Sequence, residues 1–163
     1  MKRRDIEPSP KRKDPAKNLV GCVVGDVNYA IPIAAVREIV NPLTVVELPG
    51  APPAVIGVAD YRDEVVPVVD LRTRFGLGPS PATRRTKWII LHRGDSALAL
   101  VVDVVTGVFR SGELKPPPAL GGGDDTRGLE GVTTYQGSLV FVLDAGRFDE
   151  LVAPIVRALE SAP

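Results

Sequence analysis

A segment in the middle of the sequence recurs near its C-terminal end. Residues 57–72 read GVADYRDEVVPVVDLR, and residues 131–144 read GVTTYQGSLVFVLD. At a constant offset of 74 residues, the two segments share six identities without a gap. The identical pairs are Gly57–Gly131, Val58–Val132, Tyr61–Tyr135, Val66–Val140, Val68–Val142 and Asp70–Asp144. A repeat of this kind constrains the fold, because two copies of one unit are expected to form the same local structure.

A second block matches in the same order. Tyr29–Val36 has the apolar pattern of Leu98–Val105. Valine-rich strands also resemble one another by composition, but the ungapped Gly, Tyr and Asp matches favour duplication. The two blocks together predict a duplicated unit of about 70 residues.

Composition indicates what the unit is made of. The chain of 163 residues contains 24 valines, 16 glycines and 16 prolines. Valine is restricted at its first side-chain torsion and suits strands, whereas glycine and proline supply turns. We therefore predict a mainly β protein whose units each have about five short strands. A sheet this short protects its edges by curling into a small barrel, so two barrels with a groove between them are expected.

Individual segments refine this prediction. The turn Arg62–Glu64 is expected to join two strands, and Asp70 to cap a short helical turn. Ile33, Val36, Arg37 and Val40 follow helical spacing, which predicts a short helix. The remaining predicted strands are 19–24, 29–31, 44–48, 87–92 and 97–102. Residues 104–109 continue the second unit, and residues 111–131 are expected to be irregular.

The C-terminal segment has an apolar helical stripe. Pro154 is expected either to interrupt this helix or to begin it after an extended lead-in, and the sequence leaves both open. The stripe is expected to pack on the core. It consists of Phe148, Leu151, Val152, Ile155 and Leu159.

Charge and cysteine content exclude several classes of protein. The 20 basic and 20 acidic residues balance, so the chain as a whole has no bias toward nucleic acid. Residues 1–17 form a basic, proline-containing tail that we expect to be disordered. A solubilising role for this tail is favoured over contact with acidic lipid or RNA. Cys22 is the single cysteine, and no apolar run suits a membrane span or a signal peptide, so a cytoplasmic protein is expected.

Catalytic constellations are missing from the sequence. His92 is the single histidine, and no nucleophile elbow, phosphate loop or dinucleotide fingerprint occurs. Asp70 and Asp144 lie at matched strand ends, where helix capping explains them better than a catalytic carboxylate pair. We predict neither an enzyme nor a protein with a cofactor or metal ion.

An ordered set of passages resembles the CheW-like family, the scaffold proteins of bacterial chemosensory arrays. The passages lie at residues 29–38, 48–58, 62–72 and 101–105, within a resemblance that extends over about 18–148. The resemblance implies two five-stranded SH3-like barrels related by internal pseudo-symmetry, with short helices at connections and at the C-terminus. The first barrel is expected at about 19–80 and the second at about 86–145, with exchange of strands near their ends left open. Residues 149–163 are expected to form a C-terminal helix and tail.

The resemblance also implies partners. Members couple chemoreceptors to the CheA-type histidine kinase through its regulatory domain, without chemistry of their own. The chain is similar to stand-alone CheW proteins, because it has no room for a kinase. It is expected at cytoplasmic receptor arrays, reaching the membrane only through receptors and binding no nucleic acid.

Candidate site residues follow from the matched positions. The resemblance implies that a chemoreceptor's cytoplasmic tip contacts Val36, Glu38, Arg62 and Val105. It implies kinase contact through Ile56, Gly57 and Val58, to which we add Asp63. Gln136 replaces Arg62 in the second copy, so the hairpin does not need arginine to fold. This supports a specific contact for Arg62, with a solvated turn residue as the alternative.

Departures from the family pattern keep other functions open. The family hairpin usually reads Asn-Leu-Arg-Gly, whereas residues 60–63 read Asp-Tyr-Arg-Asp. The added negative charge indicates a specialised member, for which loss of kinase binding is one alternative. A small-ligand or RNA-binding double barrel is the other.

Overall fold

The computed structural model of the chain describes residues 18–117 and 128–161. Within these ranges the predicted mainly β class is confirmed, while the basic tail 1–17 and part of the irregular segment lie outside them. The elements are β1 (Asn18–Val24), β2 (Val27–Pro32), β3 (Val36–Val40), β4 (Val55–Tyr61), β5 (Glu64–Asp70), α1 (Leu71–Arg74), β6 (Lys87–Arg93), β7 (Ser96–Val102), β8 (Val104–Arg110), β9 (Leu129–Tyr135), β10 (Ser138–Leu143) and α2 (Ala145–Glu160).

The strands form two five-stranded sheets of matching topology. Sheet A has the order β8-β1-β2-β10-β9, and sheet B has the order β3-β6-β7-β5-β4. In each sheet one pair is parallel, β2 with β10 and β5 with β7, and the other pairs are antiparallel. Each sheet therefore combines the first two strands of one repeat with the last three of the other. Because strands are exchanged in this way, neither sheet coincides with the ranges 19–80 and 86–145.

The repeated glycines lie at equivalent β-bulges. The register between β4 and β5 shifts between Val55 and Gly57, and the β9–β10 register shifts at Gly131 in the same way. Beside each bulge an earlier segment adds one bridge, from Val46 in one copy and Lys115 in the other. A side chain on either glycine would collide with the carbonyl oxygen of that segment. Close approach of two backbones thus explains why both copies have glycine here.

Both repeated hairpins turn through two residues with positive φ. Arg62 and Asp63 have φ of 48° and 65°, and Gln136 and Gly137 have 53° and 83°. Turns of this type match the twist of the flanking strands. Asp63 thus adopts a backbone conformation that favours glycine, which aspartate tolerates through its short polar side chain.

The repeated aspartates cap the helices that follow the hairpins. Asp70 Oδ1 accepts a hydrogen bond from the Arg72 amide at 3.3 Å, and its Oδ2 accepts one from Thr73 Oγ1 at 2.8 Å. Asp144 Oδ1 accepts the Gly146 amide at 3.0 Å. Each aspartate satisfies an otherwise unpaired helix donor, so the predicted capping role is confirmed.

Two local predictions are wrong. The segment expected to be a helix forms a 3₁₀ turn at Ile33–Ala35 followed by β3. A bulge between Val36 and Glu38 inserts an extra residue into β3, which disturbs the alternation of a strand and imitates helical spacing. The strand expected at 44–48 is reduced to the single bridge at Val46.

Helix α2 runs from Ala145 through Pro154 without a break, so both expectations for Pro154 are wrong. The helix buries Phe148, Val152 and Ile155, which confirms that its apolar stripe packs on the core. Those three residues join a central core with side chains from both sheets, including Val20 and Leu100. Val152 and Ile155, in the part of the predicted C-terminal helix and tail that the structure describes, belong to this core.

Each sheet also has a smaller core of its own. The sheet B core contains Trp88, Ile90, Val68 and Tyr61, together with small alanines. The sheet A core contains Leu19, Ala30, Leu114, Val140 and Val142, with Phe109 packed against it. The two sheets therefore use equivalent strands but fill their separate cores with different side chains.

Asp103, between β7 and β8, connects three parts of the fold. Its Oδ2 accepts hydrogen bonds from the Gly25 amide at 2.8 Å and from Arg72 Nη1 at 2.9 Å. We expect Asp103→Ala to lower the free energy of unfolding by about 1–2 kcal/mol, measured with urea, because it removes both bonds. Asp95→Ala, in an exposed turn, is the matched control. Equal effects of the two substitutions would contradict a connecting role for Asp103.

Candidate functional site

Glu38, Tyr61 and Arg62 form a hydrogen-bonded group at the surface. Arg62 Nη2 lies 2.7 Å from Glu38 Oε2, and Arg62 Nε lies 2.8 Å from Glu38 Oε1. The Tyr61 hydroxyl also donates to Glu38 Oε1, at 2.5 Å. The arginine and the carboxylate thus form a bidentate pair, whose geometry is more specific than that of a single ion contact. We call these three residues the edge cluster.

The edge cluster connects the two edges of sheet B. Glu38 lies on β3 and Tyr61 ends β4, and these strands are the first and last of the sheet. Their side chains meet because the sheet is curled. Local backbone features direct the side chains: the bulge at Arg37 places Glu38, and the positive-φ turn places Arg62.

Arg37 extends the cluster toward β7. Its Nη2 donates to the Ser96 carbonyl oxygen at 3.1 Å, and its Nη1 lies 3.8 Å from Glu64 Oε2. The guanidinium carbons of Arg37 and Arg62 lie 6.0 Å and 5.6 Å from the centre of the Tyr61 ring. At these distances both cations are attracted by the ring, which further fixes their positions.

Hydrogen bonds from Arg62 and Tyr61, with the charges of Arg62 and Arg37, lower the pKa of Glu38 from 4.5 to about 2. The Glu38 carboxylate stabilises the fold at pH values above 4.5, and this contribution disappears as the pH falls through about 2. The same contacts raise the pKa of Arg62 above its usual range. The edge cluster is therefore an ion pair throughout the physiological pH range.

The structure places the four predicted receptor-contact residues in two groups. It brings Glu38 and Arg62 together, with Arg62 at 65% side-chain exposure and Glu38 at 29%. Val36 on β3 and Val105 on β8 belong to different sheets, but both are half-buried and pack against the central core. They thus line the region where the two sheets meet.

The four predicted kinase-contact residues differ in accessibility. Asp63 is exposed in the turn, and Ile56 is half-buried. Gly57 and Val58 are buried beneath the segment that contains Val46, whose own side chain is 61% exposed. A partner at this surface would meet Val46 and Ile56 before the glycine.

Sequence reasoning missed two members of the site. The repeat marks Tyr61 only as an identity with Tyr135, whereas the structure shows a residue 3% exposed whose hydroxyl donates to Glu38. Arg37 belongs to the segment predicted to be a helix and carried no site prediction. Arg37 is adjacent to Glu38 in an otherwise apolar segment, and this adjacency is the sequence signal that indicates it.

Metal sites and membrane-spanning helices are not seen in residues 18–117 and 128–161. No group of three or more His, Cys, Asp or Glu side chains in these ranges could hold a metal ion. No helix there has the length and apolar character to cross a membrane. Burial raises the pKa of the Cys22 thiol to about 12, so it stays protonated and weakly nucleophilic.

A family model described as the CheW-like domain matches residues 18–150. This chain belongs to the CheW-like family. The match includes both sheets, the edge cluster and the start of α2. Membership confirms the resemblance and the predicted class, a signal-transduction scaffold of chemotaxis rather than an enzyme.

Individual relatives agree with the family. The chain is 30% identical over 132 residues to the chemotaxis protein CheW of Treponema pallidum, covering 77% of this chain and 78% of that protein. It is 32% identical over 117 residues to the protein FrzA of Myxococcus xanthus, covering 71% and 72%. A match to CheW of Helicobacter pylori has 33% identity over 91 residues but covers 56% of this chain and 55% of that protein.

A solved structure has the same fold. The scaffolding protein TtCheW of Thermoanaerobacter tengcongensis superimposes with a TM-score of 0.71 at 25% identity. The superposition covers 78% of this chain and 88% of that one. The predicted fold class is confirmed, with two five-stranded sheets, short helices at connections and a C-terminal helix.

Proposed function

We propose that this protein is an adaptor that couples chemoreceptors to a CheA-type histidine kinase in a bacterial chemosensory array. Membership of the CheW-like family gives the class of protein. The observation that carries the proposal is the edge cluster, an exposed and pre-organised ion pair at the positions matched to receptor contact. The protein would act in the cytoplasm by holding two partners in a fixed arrangement, and would reach the membrane only through receptors.

The edge cluster suits contact with a helix. Arg62 is well exposed, yet its two bonds to Glu38 hold it in one orientation, so a partner would lose little side-chain freedom on binding. Its Nη1 group forms no hydrogen bond with another residue that the structure describes, and can donate to a carboxylate or carbonyl of the partner.

Val36 and Val105 would supply the apolar part of the receptor surface. A helical receptor tip in a groove needs apolar contact along one face and polar contact at its rim. The two valines lie on different sheets and pack against the shared core. We place the receptor where the sheets meet, with Glu38 and Arg62 at the rim.

The kinase regulatory domain would bind at the outer edge of β4. Ile56 and Asp63 offer an apolar and an acidic contact there, beside the exposed Val46. Gly57 and Val58 would not contact the kinase domain directly, because the segment that contains Val46 covers them. Their contribution to kinase binding would be the shape of this edge.

The acidic turn gives the proposal its alternative. Asp60 and Asp63 are both exposed near the turn of the first hairpin. If this charge prevents kinase binding, the protein is a divergent member that retains the receptor surface alone. Titration of a purified CheA-type regulatory domain distinguishes the two, since the alternative predicts no binding unless both aspartates are replaced by asparagine.

Reversing the charge of Arg62 tests the receptor surface. We expect Arg62→Glu to weaken binding to a purified chemoreceptor cytoplasmic fragment by about tenfold or more, because it places two carboxylates side by side and removes the exposed donor. The melting temperature should change little, since an exposed pair contributes on the order of 1 kcal/mol or less. Binding is measured by titration calorimetry and unfolding by circular dichroism.

A control variant shows whether the effect of Arg62→Glu is specific to this position. Arg85→Glu changes the same charge at an exposed residue of the linker before β6 and should leave receptor binding unchanged. Binding that survives Arg62→Glu, or a loss of folding as large as the loss of binding, would remove Arg62 from the proposed surface. A salt-dependent mobility shift of RNA on addition of the protein would instead favour the alternative of an RNA-binding double barrel.

A further inference from the structure

Sheet A has a surface cavity beside Gly21 and Gly107. Its volume is about 380 Å³, and it opens to the surface between β8 and the β9–β10 hairpin. A volume of this size lies within the range of small-molecule sites. The residues that shape it are Gly21, Asn28, Gly107, Phe109, Tyr135 and Ser138.

Comparison of the two copies explains the cavity. In sheet B, Ile90 on β6 pairs with Glu38 on β3, and both side chains fill space beside Tyr61. The equivalent pair in sheet A is Gly21 on β1 with Gly107 on β8. Two side chains are thus replaced by hydrogen atoms, next to the equivalent tyrosine.

Neighbouring side chains leave the space beside Gly107 open but fill the space beside Gly21. A side chain on Gly107 would meet no atom within 4 Å. Gly21 differs, because its Cβ would lie 2.6 Å from Thr106 Oγ1 and 3.2 Å from Phe109 Cε1. The backbone of Gly21 therefore forms a tightly covered floor, whereas the space at Gly107 is open.

Aromatic rings form one side of the cavity. The Phe109 and Tyr135 rings have centroids 4.2 Å apart and planes inclined by 30°. Val108, which also lines the cavity, is 61% exposed, and Tyr135 is 40% exposed. An apolar surface of this kind favours a flat ring, which gains both burial and aromatic contact.

Polar groups in the cavity are uncharged. The side chains of Asn28, Thr106 and Ser138 form no hydrogen bond with another residue in the described part of the chain, while Gln136 Nε2 donates to the Tyr135 hydroxyl at 3.3 Å. No Lys, Arg, Asp, Glu or His belongs to the described lining. A charged ligand would lose its hydration here without gaining a counter-charge.

We propose that this cavity binds a small, uncharged aromatic molecule that carries hydrogen-bonding groups. The ring would contact Phe109 and Tyr135, and its polar group would reach Asn28 or Ser138. The site is separate from the edge cluster, which lies on sheet B. Binding there does not depend on the proposed receptor and kinase contacts.

Three probes of one size and different charge test the proposal. We titrate the full chain with benzamide, benzoate and benzamidine and follow backbone amide shifts by NMR. Benzamide should bind with a dissociation constant on the order of 1 mM, as expected for so few atoms, and shift residues of β1, β8 and β10. Benzoate and benzamidine should bind at least about fivefold more weakly. Equal binding of all three probes, or shifts centred on sheet B, would overturn the proposal.

Substitutions at two positions that line the cavity, Ser138 and Asn28, complete the test. Ser138→Phe should fill the mouth and abolish benzamide shifts, whereas Ser138→Ala leaves the space open and should retain them. Asn28→Ala, which introduces the residue found at the equivalent position in sheet B, should weaken binding severalfold. Trp88 lies in the sheet B core, so unchanged tryptophan fluorescence verifies that each variant is folded. Unchanged binding of benzamide by Ser138→Phe would contradict the proposal. Amide shifts at the cavity that depend on protein concentration in the absence of any probe would also contradict it, and would indicate that a second copy of the chain occupies the cavity.

Discussion

Gly57→Ala is expected to lower the free energy of unfolding by about 3–5 kcal/mol. Two costs add. The added Cβ would overlap the carbonyl oxygen of Val46 and lie 2.7 Å from Val45 Cγ1, so the segment that covers β4 must move. The backbone of Gly57 also has φ of 151°, which side chains other than glycine rarely adopt. Urea unfolding followed by circular dichroism measures the loss.

Matched glycines separate the two costs. Gly131, the repeat partner of Gly57, has no such φ, and its Cβ would lie 2.8 Å from the Lys115 carbonyl oxygen. Gly131→Ala should therefore cost less, about 1–3 kcal/mol. Gly112 has open space around it, so Gly112→Ala should change stability by less than about 0.5 kcal/mol. A stability loss at Gly57 no larger than at Gly112 would show that the covering segment is not packed as described.

This glycine also bears on the proposed kinase contact. The same substitution would displace Val46, one of the exposed apolar groups at the β4 edge. A loss of kinase binding by Gly57→Ala would thus be indirect, through the shape of the edge. Ile56→Ala retains the bulge and the covering segment, so it reports on a direct contact instead.

The repeat in the sequence predicted much of the fold, because its residues act locally. The bulge glycines are required by the segment that precedes each hairpin, and the aspartates at the helix starts bond residues two or three positions ahead. Their identity at an offset of 74 residues therefore indicated equivalent hairpins before any tertiary contact was known. The two sheets confirm this equivalence down to the bridges at Val46 and Lys115.

The exchange of strands between the two sheets could not be predicted from the repeat. The β2 strand pairs with β10 of the other copy, and β7 pairs with β5. Because the copies are similar, β2 would offer much the same edge to either β5 or β10. The choice depends on long-range packing, including the core shared with α2, which no local pattern encodes.

The site was predicted in part. The resemblance assigned Glu38 and Arg62 to one contact surface, and the structure places their side chains 2.7 Å apart. The bulge that orients Glu38 was hidden, because one inserted residue gave β3 the spacing of a helix. The cavity of sheet A left no motif at all. Only the positions of Gly21 and Gly107 on paired strands show that an Ile–Glu pair has been replaced by two glycines.

The second large effect concerns α2. Phe148→Ala is expected to lower the free energy of unfolding by about 3–5 kcal/mol, because the ring is 1% exposed and its removal leaves a cavity between the helix and the sheets. Glu150→Ala, at an exposed position of the same helix, should change stability by less than about 0.5 kcal/mol. Both values come from urea unfolding at equilibrium.

The number of unfolding transitions tests whether the two sheets unfold together. Phe148 belongs to the central core, which contains side chains from both sheets, and each sheet is assembled from both repeats. A chain connected in this way should unfold in one step, so Phe148→Ala should shift a single transition without splitting it. Tryptophan fluorescence reports on sheet B through Trp88, and circular dichroism reports on both sheets. Two separate transitions from these probes would mean that the sheets fold independently, which the exchanged strands do not allow.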